Sequence, residues 1–212
     1  MEINANVVKE LRERTGAGMM DCKKALMETK GNIDEAIEYL RKKGLSAAAK
    51  KSGRDTKEGT IGTYVHSNGK IAVMVEVNCE TDFVARNENF QTFVKDIAMH
   101  IAAAAPIAVD KDGVPADFIA KEREIALAQM KEDPKMANKP QAVLEKIIEG
   151  KIEKIYNEQC LLSQKFVKNP EVSIKDHISQ TVATIGENIS VARFTRYVLG
   201  ETAKKATPEA AN

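Results

Sequence analysis

Two alternating runs meet at an Asn-Gly pair, and they restrict this chain more than any other feature. Ile61, Thr63 and Val65 alternate up to Ser67-Asn68-Gly69-Lys70, and Ile71, Val73, Val75 and Val77 alternate away from it. A side-chain period of two belongs to strands. Asn-Gly between two such runs is the strongest short hairpin signal, because both central residues of a type I′ turn need positive φ. The pattern predicts a hairpin beginning near Gly59. Cys79 continues its inward alternation and reads as a buried structural cysteine.

On either side of the hairpin the period is helical. Val7, Val8 and Leu11 share one face, Cys22, Ala25 and Leu26 a second, and Ile33, Ala36, Ile37 and Leu40 a third. Gly16 and Gly18 separate the first two helices, and Gly31-Asn32 the next two. Asn32 followed by Glu35 resembles a capping box, and Gly44 suits a helix C-terminus. Helices this short are marginal alone, so residues 1–44 are expected to pack as one bundle. Leu45–Glu58 carries Lys50, Lys51, Arg54 and Lys57 and reads as a basic linker, with helix at most at its start. Past the hairpin, helices are predicted over Asn87–Ala105, Pro115–Lys131, Gln141–Leu162 and Ile174–Ile185, the last capped by Ser173 and stopped by Gly186. Ile189–Leu199 is rich in β-branched and aromatic residues and predicts a third strand. The expected class is α+β: a three-helix bundle, a basic linker, and a three-stranded antiparallel sheet packed with helices. The expected division is 1–54 for the helical module and linker start, 55–200 for the core, and 201–212 for a frayed tail.

Composition excludes several classes. The 212 residues hold 32 basic and 31 acidic side chains, for a net charge of +1, and no Trp. A dedicated nucleic-acid binder would be more basic and better supplied with stacking aromatics. A protein or small-molecule partner is expected instead. Three widely spaced cysteines fit reduced thiols rather than a secreted disulfide framework. Met1-Glu2-Ile3-Asn4 does not open a signal peptide, and no apolar run reaches membrane-spanning length. The expected location is the cytoplasm, with no membrane contact.

Catalytic patterns are equally sparse. The sequence contains neither a phosphate loop nor a dinucleotide fingerprint, so no cofactor or nucleotide site is expected in the chain itself. His66, His100 and His177 form no metal-binding spacing with one another or with the cysteines. A Cys79–His nucleophile pair stays open on the residues alone. His100 sits amid apolar residues, where a satisfied core histidine is expected. The chain reads as a binding protein and not an enzyme.

Two segments need more than packing to explain them: Leu11–Leu26, with Arg12, Gly16-Ala17-Gly18-Met19-Met20 and Cys22-Lys23-Lys24, and Glu76–Asn87, with Thr81-Asp82-Phe83-Val84-Ala85-Arg86. Both closely resemble signature motifs of the elongation factor Ts family, in order and separation. Thr63–His66, Ile97–Ala102 and Ile185-Gly186-Glu187-Asn188-Ile189 resemble further family segments, so the likeness covers nearly everything up to Gly200. The resemblance implies a UBA-like N-terminal bundle. It also implies an exchange factor that binds elongation factor Tu, loosens GDP and stabilises the empty state. Within it, Thr81, Asp82, Phe83, Val84, Ala85 and Arg86 would form the tip that disturbs the Mg²⁺ side of the partner's nucleotide site, Phe83 being the wedge. Arg12, Met19, Met20, Lys51 and His66 would be further contacts. Two adjacent methionines cannot both point inward on one helix, so at least one is expected on the surface.

The chain has room for a single core unit, whereas many family members carry a duplicated core. Resemblance to the short form therefore implies a homodimer whose second copy supplies the other half. On the residues alone, three other readings stand: an RNA-associated protein using the basic linker, a thiol enzyme using Cys79, and a helical docking module for an unrelated partner. For Phe83 itself, a hydrophobic staple onto the next helix is the alternative to a wedge, and for Thr81-Asp82 it is a helix cap.

Overall fold

The computed structural model describes residues 3–132 and 139–201. It opens with α1 (Ala5–Thr15), α2 (Met19–Glu28) and α3 (Ile33–Lys51). Val8, Leu11, Cys22, Ala25, Leu26 and Ala36 are buried together in one small core, on the faces that the helical spacing predicted. Asn32 caps α3 through its Oδ1, which accepts the N–H groups of Asp34 and Glu35. Its Nδ2 donates to Glu35 Oε1 at 2.9 Å, so the return half of this capping box runs through the amide side chain.

The order continues with β1 (Glu58–Val65), β2 (Ile71–Cys79), a single turn α4 (Asp82–Ala85), and α5 (Glu88–Ala104). Then come α6 (Ala116–Glu132), α7 (Gln141–Gln159), a 3-10 turn at Leu161–Ser163, β3 (Lys165–Phe166), β4 (Asn169–Ser173), α8 (Ile174–Ile185) and β5 (Ile189–Val198). β1, β2 and β5 form a three-stranded antiparallel sheet with β2 in the middle. The class is α+β, as the sequence indicated. Val73, Val75, Val77 and Cys79 of β2 and Ile189 and Val191 of β5 cover the inner face of the sheet. Phe90, Phe93, Val94, Ile97, Ala98 and Ile101 of α5 are buried against it. Each large side chain so buried contributes about 1.5–3 kcal/mol. Gly62 lies beneath Val94, where an added methyl would collide, so the glycine sets how closely helix and sheet approach.

The hairpin forms, but its turn is not type I′. Gly69 alone takes a positive φ, +67°. Its N–H donates to His66 O at 2.7 Å, and His66 N–H donates to Ile71 O at 2.9 Å. Ser67–Lys70 thus make a longer loop with glycine at its left-handed position, and Asn68 Oδ1 accepts the Lys70 N–H at 2.9 Å instead of occupying that region itself.

Two other expectations are corrected. Gly44 does not end α3, which runs on to Lys51, so the helix at the start of the basic stretch is the continuation of α3 and takes up half of that stretch. Gly44 lies buried where α3 packs on α8, and a Cβ there would be in ordinary contact, 3.6 Å from Ala183 Cβ. Packing there outweighs the roughly 1 kcal/mol that glycine costs inside a helix. Arg41 Nη2 reaches Asp176 Oδ2 at 2.6 Å and pins the same pair of helices. α7 stops at Gln159, not Leu162, because Cys160 turns extended and forms a parallel bridge with Ala108. The short β3–β4 hairpin was not foreseen, since two residues of β3 show no alternation. α6 and α7 form a helical hairpin with its own core of Ala126, Met130, Ile148 and Ile152. The tail expected to fray lies, from residue 202 onward, outside the described residues.

β3 is held by two histidines. His100 is fully buried; its Nε2 pairs with Gln164 Oε1 at 3.0 Å, and its Nδ1 accepts the Val167 N–H at 3.3 Å. His177 stacks on Phe166 at 4.5 Å, and among the described residues nothing hydrogen-bonds its Nε2. Burial pushes both histidines below their ordinary 6.5; Gln164 opposes this for His100, while for His177 Asp96 opposes it and Lys168 and His100 reinforce it. With folded values depressed, the unfolded chain binds protons first as pH falls. The stabilisation is therefore complete above about pH 6.5 and is lost progressively below it. The thermal midpoint should fall between pH 7.5 and 5.5, and His177→Phe should flatten that fall in calorimetric scans.

Candidate functional site

β2 delivers the chain into a one-turn helix whose apolar side chain has nowhere to pack. Phe83 is 81% exposed, the highest value among the large apolar side chains described. It does not staple onto α5. Thr81, in extended conformation, caps α4 by accepting the Val84 N–H on Oγ1 at 3.4 Å. Asp82 Oδ2 and Arg86 Nη2 form an exposed ion pair at 3.0 Å, a contact worth about 0–1 kcal/mol. Val84 is half-buried, and Ala85, 8% exposed, packs into the main core. Of the six tip residues, Phe83 and Arg86 are therefore the most open to a partner, while Ala85 anchors the turn.

The tip is braced from the far end of the sequence. Glu187, in the turn between α8 and β5, accepts the N–H of Glu80 at 3.1 Å and of Thr81 at 3.0 Å on Oε2. Its Oε1 accepts the Thr81 hydroxyl at 2.7 Å. In return, Glu80 Oε1 accepts the Asn188 N–H at 2.6 Å. That bond, with Arg54 beside it, holds the Glu80 carboxyl below the usual carboxylate range. Asn188 Nδ2 donates to Arg54 O at 3.0 Å, and Lys51 Nζ donates to Gly186 O at 2.6 Å. Two carboxylates thus each take backbone donors from the other's segment, and the end of α3 joins them. Sequence reasoning singled out Ile185–Ile189 only as a likeness. The pairing of Glu187 with Thr81 carried no local signal.

The remaining candidates lie apart from the tip. Arg12 is exposed on α1; Met19 and Met20 open α2 at 46% and 77% exposure, so both methionines face outward. His66 sits at the hairpin end of β2, its Nδ1 3.1 Å from the Tyr64 hydroxyl. At about 3.4 Å per residue, the length of β2 places it roughly 25–30 Å from the tip. Lys51 alone shares the tip's bonding network. The structure therefore gathers Thr81–Arg86 with Lys51 and leaves Arg12, Met19, Met20 and His66 as separate patches.

Nothing in this arrangement activates a nucleophile. Cys79 is fully buried and donates to Thr81 O at 3.2 Å. Burial, with Glu187 nearby, pushes its thiol up to about 11. Among the described residues no three His, Cys, Asp or Glu side chains gather as a metal site, and no helix is long and apolar enough to cross a membrane. The chemistry the site offers is shape: an exposed aromatic ring on a turn whose backbone is bonded down at Thr81, with the exposed Arg86 guanidinium on the same turn.

Comparison with known proteins agrees with the motifs. The sequence model described as Elongation factor TS matches residues 1–201. A protein named Elongation factor Ts from Geobacter sulfurreducens is 57% identical over 97% of this chain and 93% of its own length. One from Anaeromyxobacter sp. is 60% identical over 96% and 91%, and one from Fervidobacterium nodosum is 59% identical over 95% of this chain and 100% of its own length. This chain belongs to the elongation factor Ts family.

Proposed function

We propose that this protein is a guanine nucleotide exchange factor that acts in translation elongation by binding elongation factor Tu, a binding protein without cofactor or catalytic residue of its own. In this reading Phe83 enters the partner's GTPase domain near the Mg²⁺ and phosphate side of the nucleotide, GDP leaves, and the empty state is held until GTP arrives. The observation that carries it is the exposed Phe83 ring on a one-turn helix whose backbone is bonded down at Thr81. Work of this kind is a coupling free energy between two sites and is reciprocal. Accelerating release by about four orders of magnitude needs roughly 5.5 kcal/mol. One buried Phe supplies about 1.5–3 kcal/mol. Residues 1–54, with Arg12, Met19 and Met20, act as a second foothold, and His66 at the hairpin end of the 55–200 core as a third. The basic stretch is engaged within the chain, Lys51 by Gly186 and Arg54 by Glu80, which favours a protein partner over nucleic acid. The setting is cytoplasmic.

The outer face of the sheet supports the homodimer. Ile61, Val65, Met74 and Tyr197 are 51–65% exposed on neighbouring strands of that face. A second copy laid on it would cover these side chains and give the single core its other half.

Three measurements test these readings. Phe83→Ala should slow catalysed release of fluorescent GDP from elongation factor Tu on the order of ten- to a hundredfold, with an unchanged melting curve; unchanged stopped-flow rates would remove the wedge. Iodoacetamide should leave Cys22, Cys79 and Cys160, all buried, unmodified in the native protein and without effect on exchange. Light scattering at working concentration should return twice the chain mass, and Val65→Lys combined with Tyr197→Lys should return the single mass.

A further inference from the structure

We propose that Glu187 is a positioning residue for the Phe83 tip, acting through Thr81; this rests on the exchange reading of that tip. The β2–β5 ladder ends at the Cys79–Ile189 pair. Beyond it the two segments stay joined by side chains, and the Glu187 carboxylate accepts three donors from the strand end, the N–H groups of Glu80 and Thr81 and the Thr81 hydroxyl. Thr81 Oγ1 in turn receives the Val84 N–H and so closes α4. Four residues of helix do not hold themselves together in water. Phe83 is too exposed for packing to fix its direction. Its aim is set by the backbone of Thr81–Val84; Glu187, which sits 106 residues along the chain from Thr81, holds the start of that turn, while Ala85 anchors its end in the core. Charge-assisted bonds of this kind are about twice as strong as neutral ones. Without them the partner would have to order the loop during binding, and part of the interaction energy would be lost to that ordering.

The test compares Glu187→Ala, Glu187→Gln, Phe83→Ala and the double variant Glu187→Ala/Phe83→Ala in full-length protein. The readouts are GDP release from elongation factor Tu at saturating exchange factor, the concentration giving half-maximal rate, and amide exchange at Thr81 by NMR. Glu187→Ala should lower the saturating rate by about ten- to a hundredfold, move the half-maximal concentration less, and speed exchange of the Thr81 amide. Glu187→Gln keeps an oxygen for the two amides and an amide to offer Thr81 Oγ1, and it should recover most of the rate and the protection. In the Phe83→Ala background, Glu187→Ala should cost nothing further, since it acts through that ring. Additive losses, or a Thr81 amide as protected in Glu187→Ala as in the native chain, would overturn the proposal. Native exchange rates in Glu187→Ala with slow rates in Phe83→Ala overturn it alone. Native rates in both overturn the exchange reading beneath it. Should Glu187→Ala melt far below the native protein, Thr81→Val, which removes only the hydroxyl contacts, carries the same expectations at smaller size.

Discussion

The middle strand of the sheet is the constraint on which the other parts depend. β2 is hydrogen-bonded on both edges, by β1 and by β5, and buries Val73, Val75, Val77 and Cys79 on one face against α5. A one-residue slip would turn that whole apolar row toward water, so its register is strongly specified. Both ends of this fixed rod carry candidate contacts: the His66 loop at the start and the Thr81–Arg86 turn at the finish. Because the strand is paired along both edges, the separation of the two ends is a property of the fold.

The same strand explains how a short exposed turn stays ordered. Pairing with β5 brings the α8–β5 turn alongside the end of β2, and there Glu80 and Glu187 exchange backbone donors. α3 extends the frame in the other direction. It begins in the core of the N-terminal bundle, passes Gly44 where it presses on α8, and ends with Lys51 bonded to Gly186. One continuous helix therefore connects the bundle's Arg12–Met20 region to the base of the tip. For a protein proposed to distribute several kcal/mol among separate footholds, rigid spacing matters as much as any single contact, since each foothold then binds without a new ordering cost.

Features written within three or four residues were legible. Asn32, Asn87 and Ser173 each cap the helix they were expected to begin, and Gly186 ends α8 at a φ of 94°. Alternation located both strands of the hairpin, and the β-branched run located β5. Failures came where a distant contact overrode a local preference. Gly44 reads as a stop until α8 is packed on it, and Asn68-Gly69 reads as a two-residue turn until the register of β1 and β2 requires a longer loop. β3 was invisible because two residues carry no period. At the tip, Thr81's capping role was legible, while the outward aim of Phe83 and the burial of Ala85 were not, since α5 and the core decide which side of a single turn faces water.

By itself the sequence determined the α+β class, the positions of most elements, and membership of the elongation factor Ts family through Leu11–Leu26 and Glu76–Asn87. Each of these rests on periodicity, caps or motif spacing, which are properties of neighbouring residues. Only the tertiary structure decided that Phe83 stands free, that α3 runs unbroken onto α8, and that Glu187 holds Thr81. Those outcomes depend on groups brought together from more than a hundred residues apart, or on which of two faces a packed core covers. A linear pattern contains neither, because the energies that choose between the alternatives exist only once the sheet has closed.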